Sequence, residues 1–279
     1  MAPSSIASSS SSLSISHLFD VTGKTVLITG GGTGIGRMLA QGFVDNGARV
    51  FIASRREAKQ AAAEIVGASS LPPSLAFCRG LTADLAKGEG EQTALLAAVA
   101  KETGGKLHVL INNAGTNWAE PIESYPLHAF DKVVSLNLTS LFSLTRLALP
   151  LLEAAATPHD PARVINIGSI DGKRVTLIDH FAYSSSKAAV HRLSRVLAGK
   201  LGHRNITVNA LAPGPFASKM MKVTLERARE EIEGSAALGR IGHPEDIAGA
   251  ALFLASRAGA YVTGAVLVVD GGILVKPKL

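Results

Sequence analysis

The apolar run Val26-Leu-Ile-Thr29 leads straight into Gly30-Gly-Gly-Thr-Gly-Ile-Gly36, and a helical pattern follows from Gly34 to Asn46. A strand, a glycine turn and a helix in that order are the opening half of a βαβ unit. Further apolar runs recur at Val50-Phe-Ile-Ala53, Leu75 to Cys78, Leu107 to Ile111, Arg163 to Ile167, Ile206 to Ala210 and Ala265 to Val269. A helix-like Ala/Glu/Lys stretch follows the second run, and helical patterns fall at about 91–103, 127–153, 183–201 and 244–256. Strands that are apolar without alternation, separated by amphipathic helices, predict a parallel sheet covered on both faces. No Pro/Gly-rich linker or charge block divides the chain, so a single α/β domain is expected over residues 19–279. Chemistry in such a sheet sits in the loops beyond the strands' carboxyl ends.

The glycine turn has the context that gives it meaning. Gly30, Gly34 and Gly36 permit unusual backbone angles and close approach to a pyrophosphate. The helix that opens there, with Thr33 and Ile35 in its first turn, offers unpaired N–H groups and a partial positive charge. Dinucleotide binding is the reading, although the spacing is Gly-x-x-x-Gly-x-Gly. The alternative is a purely structural turn. An NAD site commonly places a carboxylate at the end of the second strand, for the ribose 2′-hydroxyl. This chain has Ala53-Ser54-Arg55-Arg56 there, with no acid before Glu57. Ser54 can hydrogen-bond and Arg55 can meet a 2′-phosphate with its planar fork, which points to NADP(H). Solvated surface arginines are the alternative.

Tyr183 and Lys187 stand four residues apart in a helical stretch, so phenol and ammonium share a face. A fixed positive charge close to a tyrosine favours phenolate and draws its pKa from roughly 10 toward the working range. Ser169 lies fourteen positions upstream. The remaining composition mainly excludes. Apolar residues make up 47% and charged residues 18% of the chain, enough for a large core. Cys78 is the single cysteine, which leaves no intrachain disulfide and no cysteine-based metal site. No metal site is expected. The net charge of +6 is scattered, which argues against nucleic acid, and no uninterrupted apolar run reaches membrane-span length. Residues 1–18 form a serine-rich tail expected to lack order, since it offers little surface to bury. It lacks the arginines of an organelle transit peptide. The terminal Lys276-Pro-Lys-Leu279 is a loose echo of the peroxisomal Ser-Lys-Leu address, and an ordinary exposed tail in a cytoplasmic protein is preferred.

Taken together, the chain resembles the short-chain dehydrogenase/reductase family over roughly residues 20–275. The matching landmarks are Thr29–Gly36, Asn112-Asn-Ala-Gly115, Asn137, Ser169, Tyr183/Lys187, Pro213-Gly214 and Asp270-Gly-Gly272. Within the family it is most similar to NADPH-dependent 3-oxoacyl thioester reductases, including those of bacterial rhamnolipid pathways. Asn113–Trp118, Glu123-Ser-Tyr-Pro126 and Ala83-Asp-Leu85 carry that closer similarity.

The resemblance implies a seven-stranded sheet in order 3-2-1-4-5-6-7 and a homotetramer paired through the helices containing Asn137 and Tyr183. It implies Tyr183 as proton donor, Ser169 as hydrogen-bond partner of the substrate oxygen, and Lys187 as the ribose-binding group. Asn137 would hold a relay water, Asp84 and Leu85 would flank the adenine, and Asn113, Ala114 and Gly115 would line the cofactor. Pro213, Gly214, Phe216 and Ser218 would border the nicotinamide, with the segment from Phe216 to Arg240 covering the substrate. The implied activity is reduction of a small-molecule ketone, with a 3-oxoacyl thioester or related β-keto compound as substrate. Oxidation of a sugar acid or polyol, and a non-catalytic NADP-sensing module, are the alternatives. Some carrier-protein reductases have arginine where Gly199 stands, although Arg192, Arg195 and Lys200 lie nearby. Local alternatives also stand: Asn112 and Asn113 as a polar turn, Asn137 satisfied within its helix, and Ser169 as a strand-end cap. His180 is expected at the cleft rim, and Met220 and Met221 over the core or on a mobile lid.

Overall fold

The computed structural model describes residues 12–218 and 221–277 of the 279. Residues 1–11 of the serine-rich tail, Met220, and the final Lys278 and Leu279 therefore lie outside the described residues. Within the stretch expected to lack order, Ile15–Leu18 forms one helical turn, α1, where the amides of His17 and Leu18 reach Ser14 O.

The sheet is built as expected: seven parallel strands in the order β3-β2-β1-β4-β5-β6-β7. They are β1 (Thr25–Thr29), β2 (Arg49–Ser54), β3 (Phe77–Thr82), β4 (Val109–Asn112), β5 (Ala162–Ile167), β6 (Ile206–Pro213) and β7 (Val266–Val269). Between them run α2 (Gly34–Asp45), α3 (Ala58–Gly67), α4 (Glu89–Thr103), α5 (Leu127–Val134), α6 (Ser140–Ala155), α7 (Phe181–Leu201), α8 (Lys222–Ser235) and α9 (Pro244–Ala255).

The period-2 side-chain alternation of each strand sends apolar groups to both faces, which is why the runs do not alternate with polar residues. Val26, Ile28, Val50, Ile52 and Ile111 pack with α2, α3 and α9 through Leu39, Phe43, Ile65, Ile247 and Leu254. Leu27, Phe51, Leu110 and Val164 pack on the opposite face with Leu96, Leu144, Leu152 and Leu201. Full burial of each such side chain is worth about 1.5–3 kcal/mol, so the sheet's centre dominates stability.

β3 begins and ends later than the apolar run Leu75–Cys78 implied. Leu75 is exposed, its N–H taken by Pro72 O in the preceding turn, and the pairing with β2 reaches Thr82. The helical stretch from 127 is longer than the expected 127–153 and is interrupted by a π turn at Ser135–Thr139. Taken as one helical stretch, Leu127–Ala155 is long and apolar enough, by length and composition, to cross a membrane. Here it serves as a core helix, with Leu144, Ala148 and Leu152 buried against the sheet.

At the sheet's amino edge Arg163 is only 1% exposed and donates to Leu254 O, Ser256 O and Asp160 Oδ1. Lys24 donates to the same carboxylate at 2.7 Å. This cluster lies at the opposite edge from the glycine turn and closes that end of the fold.

Candidate active site

The loops after β1, β4, β5 and β6 meet at the sheet's carboxyl edge. Gly30 and Gly34 take positive φ values of 64° and 54°, conformations that side chains with a Cβ rarely adopt. A Cβ on Gly36 would collide with Gly30 O and lie 2.5 Å from Asn113 Nδ2, so the turn can pass close to its neighbour only with glycine there. Thr33, at the N-cap of α2, is extended and makes no side-chain capping bond, which leaves the helix's first N–H groups facing out of the loop. Gly34 in turn faces Ser218, whose Cβ would lie 3.1 Å from an added Cβ. The β1 and β6 loops thus come together from distant parts of the sequence. This glycine cradle and uncapped helix start fit a pyrophosphate.

Thr29 and Asn113 stitch β1 to β4. The amides of Asn113 and Ala114 both donate to Thr29 Oγ1 at 3.0 Å, and Asn113 Nδ2 donates to Thr29 O and Gly30 O. Asn113 therefore shapes the glycine turn itself, and Thr29, read from the sequence only as the start of the glycine motif, is the residue that ties the two loops together. A threonine closing an apolar strand was the available signal. Asn112 is no turn residue: it is buried and donates to Asn166 Oδ1 and Thr145 Oγ1.

At the exit of β2, Arg55 is exposed, and Ser54 is half-buried with its hydroxyl donating to Arg56 O. Asp84 accepts from Ala86 N in the turn after β3, while Leu85 is buried in the core. Gly115 is exposed beside Asn137 and Lys187. Pro213 ends β6, Gly214 follows, and the Phe216 ring is buried against Gly242. Ser218 Oγ accepts from Met221 N. A cavity of about 480 Å³ opens beside Phe216, Leu238, Arg240 and Asp270; none of Ser169, Tyr183 or Lys187 lines it.

The acid–base residues converge where α7 crosses the end of β5. Lys187, 5% exposed, donates from Nζ to Ile167 O at 2.7 Å, and Nζ lies 5.5 Å from the centre of the Tyr183 ring. Burial pulls its pKa down to about 8. Burial pushes the Tyr183 phenol up to about 12, partly offset by a hydrogen bond with Ser169 and reinforced by the Asp171 charge. This corrects the expected lowering by Lys187. Desolvation of the phenol is the largest cause of the shift, and Lys187 is not among the causes.

Ser169 Oγ also accepts from Asp171 N at 3.1 Å, so the residue caps its turn as well as facing Tyr183. Asn137 sits in the π turn, 1% exposed. It accepts from Thr116 N at 2.8 Å and donates to Thr116 O and Ser186 Oγ. Ser186 donates onward to Tyr183 O, a link the sequence did not single out. His180 is not at the rim: it is buried, its ring 5.2 Å from that of Tyr183 and its Nε2 3.2 Å from Thr176 Oγ1.

A sequence profile described as enoyl-(acyl carrier protein) reductase matches residues 30–274. The chain belongs to the short-chain dehydrogenase/reductase family. It is 43% identical to the rhamnolipids biosynthesis 3-oxoacyl-[acyl-carrier-protein] reductase of Pseudomonas aeruginosa, across 91% of the chain and 97% of that protein. It is also 34% identical to a galactitol 2-dehydrogenase (L-tagatose-forming) of Cereibacter sphaeroides, across 92% and 98% of the two chains. Among solved structures, the RhlG/NADP active-site complex of Pseudomonas aeruginosa superposes with a TM-score of 0.85 at 41% identity, covering 92% of this chain and 98% of that one. Among the described residues of the chain no cluster of three or more His, Cys, Asp or Glu is placed to hold a metal ion.

Proposed function

We propose that the protein is an NADP(H)-dependent ketoreductase that converts a ketone to a secondary alcohol, with Tyr183 as proton donor. The observation that carries this reading is the convergence of Tyr183, Ser169 and Lys187 at one edge of the sheet, beside a glycine cradle suited to pyrophosphate. When bound, NADPH supplies the hydride. The chain's own residues then manage the oxygen. Ser169 donates to the substrate oxygen as it gains alkoxide character, a bond that strengthens toward the transition state. Tyr183, with its phenol near 12, is fully protonated at neutral pH. An alkoxide is a far stronger base than a phenolate, so transfer from the phenol runs downhill. Lys187 sits one turn away to hold the ribose hydroxyls, and Asn137 to hold a water through which the proton is replaced.

Gly30, Thr33, Gly34, Ile35 and Gly36 would hold the pyrophosphate, and Ser54 and Arg55 the 2′-phosphate. Asp84, Leu85, Asn113, Ala114 and Gly115 would lie along the adenosine and ribose. Pro213, Gly214, Phe216 and Ser218 would border the nicotinamide. The substrate is a 3-oxoacyl thioester or related β-keto compound, a reading supported by the Pseudomonas aeruginosa relative. Polyol oxidation is the second reading, supported by the galactitol dehydrogenase relative.

Exposed Leu127 on α5, Phe142 on α6 and Val196 on α7 favour pairing of these helices in a homotetramer. A cytoplasmic setting fits a chain whose single cysteine, Cys78, leaves no intrachain disulfide. The deciding experiment is a turnover screen with NADPH against 3-oxoacyl thioesters, β-keto esters, diketones and keto-sugars, with polyols and NADP tested in reverse. NADPH binding without turnover of any of them would leave a sensing module as the better reading. Sedimentation showing only monomer at micromolar concentration would refute the tetramer.

A further inference from the structure

His191 follows Lys187 by four residues and Tyr183 by eight, so all three rise from one face of α7 toward the end of β5. The residue is 6% exposed. A Cβ added to Gly168 would overlap its Nε2 and lie 2.6 Å from its Cδ2. A Cβ on Gly172 would lie 3.0 Å from its Cε1, and 2.7 Å from the backbone at Lys187 and Ala188. These two glycines bracket Ser169, Ile170 and Asp171, the turn held by Ser169 Oγ accepting from Asp171 N. The imidazole therefore fills the space that side chains at 168 and 172 would otherwise take. Its Nε2 has no hydrogen-bond partner among the described residues, so the edge of the ring that faces Gly168 makes a packing contact rather than a polar link.

We infer that His191 is a positioning residue: its ring seats the turn from Gly168 to Gly172 against α7 and so sets where Ser169 Oγ stands relative to Tyr183. The inference rests on the proposed role of Ser169 toward the substrate oxygen. The ring serves this purpose neutral. Burial, together with the cations of Lys173 in the β5 loop and of Lys187 and Arg195 on α7, holds its pKa near 4. It therefore adds no second charge beside Lys187.

The test is a double-mutant cycle in the full chain, with NADPH and acetoacetyl-CoA as the ketone. With Ser169 present, His191→Ala should lower kcat about tenfold or more while NADPH Kd stays within about twofold. With Ser169→Ala as background, the same change should cost less than about threefold, because the group it positions is gone. Equal losses in both backgrounds, or a loss carried by NADPH affinity, would overturn the inference. Full turnover by Ser169→Ala would overturn the proposed role of Ser169, and this inference with it. Gly168→Ala gives a second arm that does not depend on emptying the site. Its Cβ presses on the same ring, so it should lower kcat, and adding His191→Ala should restore part of the loss. Absence of any restoration would also count against the inference.

Discussion

Lys187 Nζ donates to Ile167 O at 2.7 Å, tying the middle of α7 to the last residue of β5. The bond joins the helix carrying Tyr183 to the strand whose following loop carries Ser169. It also explains why a buried ammonium is tolerated, since one of its three protons is satisfied by a carbonyl. Desolvation still brings its pKa to about 8.

Tyr183→Phe should cut ketone turnover by roughly 10²–10⁴ while leaving NADPH affinity within a few-fold. The substitution removes only the hydroxyl, and the ring contact with His180 can persist. Steady-state kcat beside cofactor titration gives the answer. Near-normal turnover with a good ketone would dismiss the mechanism.

Arg55→Ala should weaken NADPH about ten- to a hundredfold and leave NADH nearly unchanged. A charge-assisted bond to the 2′-phosphate is worth roughly 1.5–3 kcal/mol, and NADH lacks that group. Kd values for both cofactors in both proteins measure this. Equal use of NADH and NADPH by the unmodified chain would refute the assignment.

Acid should destabilise the fold in part through His191. Its folded pKa of about 4 lies below the ordinary 6.5, so between those values the unfolded chain binds more protons. Stability from this source is fully present above about pH 6.5 and is lost as pH falls toward 4, amounting to up to about 3 kcal/mol. Urea unfolding at a series of pH values should show a flatter acid slope for His191→Phe. The same slope in both proteins would contradict the assignment.

Asp160→Ala should cost roughly 2–4 kcal/mol, because it strands buried Arg163 and half-buried Lys24 without their shared carboxylate. Asp160 is about a third exposed, which places the cost below that of a fully enclosed pair. Because the cluster lies at the amino edge, cofactor affinity at ordinary temperature should stay unchanged. Thermal unfolding beside an NADPH titration separates the two effects.

The fold was legible because its causes are local. Apolar runs such as Val26–Thr29, which bury both faces, read directly as a parallel sheet, and the glycines at 30 and 34 are demanded by positive φ within the loop that holds them. The residues Tyr183 and Lys187 were legible because helical geometry puts i and i+4 on one face. What only the tertiary structure decided depends on surroundings that come from far along the chain. The burial that raises the Tyr183 phenol, the π turn that aims Asn137 at Thr116 and Ser186, the seating of Gly34 against Ser218, and the contact of His191 with Gly168 and Gly172 all belong to this class. Desolvation and close packing are properties of neighbours in space, and residue spacing along a chain does not encode them.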